Sequence, residues 1–250
     1  MTSIVSTNDW ARPVPAAQRS ARDAIDWRQV AEQLDDLGYA VVPDLLAPAD
    51  CRNLAALWDE EARFRSRVDM ARHNFGRGEY KYLAYPLPPR VAELRATLYP
   101  PLAAIANAWC EALRLPSRFP AQHGAFLKRC HDAGQTRPTP LLLRYGAGDY
   151  NCLHQDLYGA HVFPIQATLL LSEPGRDFTG GEFVLQELRP RRQSRAEVVP
   201  LREGHAVFFA VSQRPVRGAR GPYRVTMRHG VSRVRSGRRM TLGLIFHDAR

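Results

Sequence analysis

The sequence predicts an α+β chain with a mainly β core, a β-sandwich or jelly roll, and a helical N-terminal half packed against it. Three observations carry this expectation. Apolar residues recur at helical spacing early in the chain, whereas after Pro138 the texture changes to short β-rich runs separated by Gly, Pro and Asp turns. Runs spaced in that way suit a sandwich or jelly roll rather than alternating βαβ units. At 250 residues and 45% hydrophobic content, the chain is long enough to bury one sizeable core.

Taken in order, residues 1–26 show no periodicity and read as a tail. From Trp27, apolar positions at Val30, Leu34 and Leu37 predict a helix that stops at Gly38, and residues 39–43 follow as a short strand. Ala47-Pro48-Ala49-Asp50 opens a second helix carrying Leu54, Leu57 and Trp58, and residues 89–113 suggest more helix. Residues 27–137 therefore read as a mostly helical region. In residues 138–250, which read as the β core of the same integrated domain, strands are expected at 141–145, 167–171, 182–186, 206–211, 225–234 and 240–246.

Composition excludes several classes. No run approaches eighteen consecutive apolar residues, and residues 1–23 are polar with Pro13 and Pro15, so neither a membrane span nor a signal-peptide core is expected and the reading is cytoplasmic. Cys51, Cys110, Cys130 and Cys152 lie far apart and form no Cys-x-x-Cys pair, which argues against a zinc knuckle or a disulfide framework. Any metal must be held by histidine and carboxylate. The net charge of +10 is concentrated: between Arg189 and Arg239, fourteen arginines face only Glu197 and Glu203, giving +12, and the rest of the chain carries −2. Codon bias explains the preference for arginine over lysine but not the missing acids, so nucleic acid or an acidic substrate is a candidate partner.

His154-Gln155-Asp156 places an imidazole and a carboxylate two residues apart at the start of an extended stretch, where both project from one face and Gln155 from the other. His229, seventy-five residues later, heads a β-rich run that ends in a Ser236-Gly237 turn. Two histidines and one carboxylate on one face of an octahedral ion leave three positions open, as non-haem Fe(II) oxygenases require for a chelating cosubstrate and O2. A cosubstrate of that kind needs a cation for its far carboxylate. Arg239 and Thr241 share a strand face ten residues beyond His229 and can grip it together, while Arg238 points away.

These residues make the chain resemble the Fe(II)/2-oxoglutarate dioxygenase superfamily, in its prolyl-4-hydroxylase-like branch. The likeness spans about residues 138–248: Leu143-Arg144-Tyr145, His154-Gln155-Asp156, Thr168 to Leu171, Gly180-Gly181-Glu182-Phe183, Val198-Val199-Pro200 with Gly204 and Phe208, and His229-Gly230-Val231 to Arg239. It implies a double-stranded β-helix with iron on His154, Asp156 and His229, 2-oxoglutarate on Arg239, and Tyr145 as a further hydrogen-bond partner of the cosubstrate. It also implies oxidative decarboxylation to succinate and CO2, coupled to hydroxylation or oxidative demethylation of a substrate. From about Asp26 onward the chain also looks like bacterial oxygenases described as acting on damaged nucleic acid. It departs from the nucleic-acid demethylase pattern, because Arg239 lies nearer its distal histidine than the corresponding arginines do.

Other candidates are weaker. Tyr150, Asn151, Tyr158 and Gln166 flank the ligands as possible substrate-pocket residues, with ordinary packing as the alternative. Gly180-Gly181 reads as a strand-entry turn. His247-Asp248 is adjacent rather than alternating and reads as a solvated end; His161, His205, His73, His123 and His131 read as structural or exposed. The clusters from Arg189 to Arg195 and from Arg214 to Arg228 read as loops bordering a pocket mouth, with only Tyr223 as an interleaved aromatic. Three functions follow: an oxygenase of modified nucleic acid, a hydroxylase of a protein side chain or small metabolite, and a non-catalytic jelly-roll binding protein.

Overall fold

The computed structural model describes residues 25–250, so most of the expected tail lies outside the described residues. The first helix, α1 (Trp27–Leu37), starts where the Asp26 side chain accepts from the Arg28 and Gln29 amides. It ends at Gly38, whose φ of 84° and bond to the Leu34 carbonyl make the left-handed stop expected from the sequence. Strand β1 (Tyr39–Val42), α2 (Pro48–Ala56) and α3 (Pro89–Ala112) also lie where expected, and α4 (His123–Asp132) completes the α-helices among the described residues.

The helical reading of residues 27–137 is incomplete. Three strands, β2 (Phe64–Asp69), β3 (Gly76–Arg77) and β4 (Glu79–Leu83), lie between α2 and α3. Their charged residues mask the strand pattern, because β2 and β3 are sheet margins where polar side chains are tolerated.

The remaining strands are β5 (Leu141–Tyr145), β6 (Tyr150–His154), β7 (Ile165–Leu170), β8 (Phe178–Gly180), β9 (Phe183–Leu188), β10 (Arg195–Val199), β11 (Ala206–Ala210), β12 (Gln213–Gly218), β13 (Gly221–Val231), β14 (Val234–Gly237) and β15 (Arg239–Leu244). A seven-stranded antiparallel sheet runs β1-β11-β7-β15-β5-β4-β2, and a second runs β10-β9-β13-β6-β3 with β12 on β13. The two form the double-stranded β-helix. Strands from the first 137 residues are therefore hydrogen-bonded into the sheet that carries Tyr145 and Arg239.

Strand alternation divides the core into two layers. Phe208 faces α1, with Trp27 at 5.7 Å, whereas Phe209 faces the second sheet, 5.0 Å from Phe183 and 4.6 Å from His229. Helix α3 covers the outer side through Tyr99, whose ring lies 5.0 Å from Phe163 and 6.2 Å from Phe246.

Two expectations fail here. The Arg214–Arg228 cluster is not a loop but the β12–β13 hairpin. Nor is His247-Asp248 a solvated end: both residues are fully buried, and Asp248 pairs with Arg95 of α3 at 2.8 Å. The Arg95 guanidinium also reaches the carbonyls of Ile245 and His247, so the last residues are drawn into the core rather than left in water.

Candidate metal centre

His154 is the last residue of β6 rather than the start of a strand, and Asp156 lies just past the strand end. His229 likewise sits near the end of the eleven-residue β13, not at its head, and it pairs directly with His154 across the two strands. Two residues later the register has shifted: Val231 is opposite Asn151, three residues before His154, so β6 carries an extra residue at this point. Such a bulge re-aims side chains, and it lets Asn151 and His154 both face the interior although they are three apart. Gly230 makes the bulge possible, since a Cβ there would lie 2.7 Å from the Asn151 carbonyl oxygen.

Asp156 lies between the imidazoles. Its Oδ1 is 3.5 Å from His154 Nε2, and its Oδ2 is 3.3 Å from His229 Nε2. One ligand atom from each residue lies within 4.8 Å of the others. Bonds of roughly 2.1 Å at right angles about one ion would bring neighbouring ligand atoms to about 3 Å, so a small relaxation closes the set. His154 Nδ1 donates to the Cys152 carbonyl at 2.7 Å, which leaves Nε2 with a free lone pair facing the centre. Gln155, expected to point away, also borders the cavity, and its side chain donates to the Met227 carbonyl.

The three groups are electrostatically coupled: burial opposes protonation of His154, but the hydrogen bond and charge of Asp156 prevail and raise it. Burial opposes ionisation of Asp156, but hydrogen bonds and charge from His154 and His229 prevail and hold it well below the usual carboxylate range. Burial and the neighbouring His154 push His229 down, towards the neutral form that can ligate. Tyr158 Oη donates to Asp156 Oδ1 at 2.8 Å, and burial next to that carboxylate pushes its phenol up.

A cavity of about 210 Å³ opens beside these groups, between the two sheets. Arg239 is buried at its edge, opposite Tyr145 in the β15–β5 register, with its guanidinium carbon 5.7 Å from the Tyr145 ring centre. Burial pushes the Arg239 pKa down to about 10, and its Nε has no hydrogen-bond partner. Gly181, with φ of 64°, gives Arg239 room, because a Cβ there would lie 2.9 Å from the arginine Cδ. Thr241 shares the cavity-facing side and Arg238 is exposed, both as expected.

Gln166 also lines the cavity and has an unpartnered, buried Nε2. Asn151 reaches Tyr145 Oη at 3.4 Å. Two buried donors without partners, facing a cavity that holds a His-Asp-His set, suit an anionic chelator beside a divalent ion.

Of the remaining sequence candidates, Tyr150 is not among the cavity-lining residues; it stands opposite Arg77 on β3. Conversely, the sequence reading assigns no role to Phe75, Tyr80 and Tyr82, which all line the cavity. The alternation Glu79-Tyr80-Lys81-Tyr82 is the signal that identifies the last two as neighbours on one strand face.

The basic segment is partly neutralised within the protein. Glu187 pairs with Arg214, Arg189 and Arg195, and Arg214 is fully buried. Arg217, Arg220, Arg224, Arg228, Arg233 and Arg235 are exposed.

Residues 78–249 match the model of a family described as oxygenases catalysing oxidative methylation of damaged DNA. Uncharacterised proteins from two strains of Mycobacterium tuberculosis are 49% identical over 164 residues, which cover 66% of this chain and 70% of theirs. A Pseudomonas putida prolyl-4-hydroxylase superposes with a TM-score of 0.51 at 16% identity, over 90% of this chain and 99% of that one. A Trichoplax adhaerens prolyl hydroxylase, solved with a hypoxia inducible factor peptide fragment, gives 0.52 at 15% identity over 92% of each chain. At these identities the two solved structures show a shared fold.

Proposed function

This chain belongs to the oxygenase family described as acting on damaged DNA and is a 2-oxoglutarate-dependent non-haem Fe(II) dioxygenase; from that premise we propose that its substrate is modified nucleic acid. His154, Asp156 and His229 would hold Fe(II), with Arg239 and Thr241 taking the far carboxylate of 2-oxoglutarate and Tyr145 beside them. Bound iron supplies O2 activation, coupled to conversion of 2-oxoglutarate into succinate and CO2 and to insertion of one oxygen atom into a substrate C–H bond. On a methylated base, hydroxylating the methyl carbon labilises it.

The observation that carries this reading is the pairing, in one cavity, of the His-Asp-His set with a buried arginine whose Nε lacks a partner. The chain's own groups do the rest. Asp156 and the two imidazoles would hold the ion, Arg239 would orient the cosubstrate by its charge, and Tyr80, Tyr82 and Phe183 place aromatic rings in the cavity wall. The six exposed arginines named above would draw a polyanion towards the protein. Residues 27–250 act in this reading as one catalytic domain. A cytoplasmic location belongs to it too, and four free cysteines suit a reducing compartment.

Succinate release, followed with methylated oligonucleotides, unmethylated oligonucleotides and peptides in parallel, tests it. Stimulation by methylated strands that weakens steeply as salt rises is the expected result. Stimulation by peptides or small metabolites alone would replace the nucleic-acid reading with the hydroxylase one.

A further inference from the structure

The segment between β2 and β4 presents two stacked rings to solvent at the mouth of the cavity. Phe75 lines the cavity yet is 49% exposed. The imidazole of His73, also exposed, stacks on it with ring centres 5.4 Å apart and 23° between planes.

The backbone beneath these rings is held firmly. Phe75 donates its amide to the Met70 carbonyl at 3.1 Å, and its own carbonyl accepts from the Cys152 amide at 2.9 Å. Gly76 lies so close to β6 that a Cβ would come within 2.4 Å of the Tyr150 carbonyl oxygen. The aromatic pair is thus fixed to the same strand that carries His154. An apolar ring kept half in water on a fixed backbone, next to a reaction cavity, is suited to covering something that arrives.

Charge and size indicate what arrives. Arg72 and Arg77 bracket His73 and Phe75 along the chain, with side chains 81% and 65% exposed, and their carboxylate neighbours are no nearer than 3.4 Å at Asp69 and 3.9 Å at Asp149. The cavity, about 210 Å³, is below the roughly 300–1,000 Å³ of sites that engulf a ligand. With a cosubstrate inside, it admits only a small projecting group, so the rest of a polymeric substrate must lie across the mouth. Exposed stacked rings with exposed arginines next to them in the chain match a nucleotide strand, whose bases stack and whose phosphates carry charge.

We infer that Phe75 and His73 form a stacking platform for a nucleotide adjacent to the one presented to the metal centre, with Arg72 and Arg77 beside its phosphates. The strand is single-stranded or locally unpaired. The inference rests on the nucleic-acid reading above and deepens it by naming the residues that recognise the strand.

The test measures succinate release against the concentration of a methylated single-stranded oligonucleotide, for the full chain and for Phe75→Ala and Phe75→Trp. Stacking on one aromatic is worth about 1–3 kcal/mol, so Phe75→Ala should raise the oligonucleotide KM roughly 5- to 150-fold with kcat little changed, and Phe75→Trp should restore it. The visible charge-transfer band of the Fe(II)–2-oxoglutarate complex should persist in both variants, showing an intact centre. An unchanged KM in Phe75→Ala, alongside an active parent, would overturn the platform while leaving the nucleic-acid reading in place. A parent unstimulated by any oligonucleotide would overturn both, and peptide-stimulated turnover that falls in Phe75→Ala would reassign the platform to a peptide.

Discussion

Tyr158 donates its hydroxyl to Asp156 Oδ1 at 2.8 Å, two residues along the same loop, so one oxygen of the central carboxylate is tethered while Oδ2 faces His229. A ring placed among substrate-pocket candidates on sequence grounds thus touches the candidate ligand itself. Outer partners of this kind orient a ligand and set its basicity.

Removing that tether should weaken metal binding before it affects anything else. Tyr158→Phe is expected to lower Fe(II) affinity about 10- to 100-fold, with the KM for 2-oxoglutarate at saturating iron nearly unchanged. Anaerobic iron titration followed by visible absorption measures this, and an unchanged affinity would assign the ring to substrate contact instead.

Arg239 is charged, buried and without a partner at Nε, so it costs folding energy and is recovered only when an anion arrives. Arg239→Met should raise the KM for 2-oxoglutarate roughly 10- to 100-fold, the equivalent of about 1.5–3 kcal/mol for a charged hydrogen bond, without lowering the Tm of the ligand-free protein. Arg238→Ala should leave both quantities as they are, because that side chain is exposed. A Tm scan of both variants beside a 2-oxoglutarate saturation curve decides the point.

His123 and His247 make the fold sensitive to acid. Burial first, and the charge of Arg95 second, push both down to about 4 from 6.5. The folded values are depressed, so the unfolded chain binds more protons over this range. The contribution of each is complete above pH 6.5 and is lost as pH falls towards 4, by about 3 kcal/mol per group at the lower limit. Denaturation midpoints measured from pH 7 to 4 should fall steeply, and His123→Gln should flatten the slope; an equal slope in that variant would contradict this origin.

Asp248 fastens the end of the chain to α3. Its carboxylate pairs with Arg95 and accepts from Tyr85 Oη and His131 Nε2, each at 2.8 Å. Asp248→Asn leaves the buried Arg95 charge uncompensated, which costs about 3–5 kcal/mol and lowers Tm by roughly 10 °C. Lys128→Ala, which removes an exposed pair with Asp132, should change Tm hardly at all. Calorimetry of the two variants provides the comparison.

Local patterns were legible in the sequence wherever they reflect local physics. Gly38 ends α1, and Arg239 and Thr241 share a face, because a stop and an alternation each depend on a few neighbouring residues. His154, Asp156 and His229 were recognisable by residue type and order. What escaped depends on pairing between distant segments. Strand β4 is defined by joining β5, as where Tyr80 meets Leu143, and no window of residues 64–83 contains that partner; β2 follows only as the margin paired with β4. The adjacent pair His247-Asp248 reads as solvent-facing until Arg95, about 150 residues earlier, is brought against it. The bulge at His154 was hidden for the same reason, since only pairing with β13 reveals the extra residue.

The most direct test of the account is anaerobic addition of Fe(II) and 2-oxoglutarate to the full chain and to His154→Ala, Asp156→Ala and His229→Ala, with visible absorption as the readout. The parent should develop the charge-transfer band of a chelated ferrous centre, and each alanine variant should stay colourless while keeping its fold by circular dichroism. A colourless parent, or an undiminished band in the His229→Ala variant, would contradict a single ferrous site shared by these three side chains.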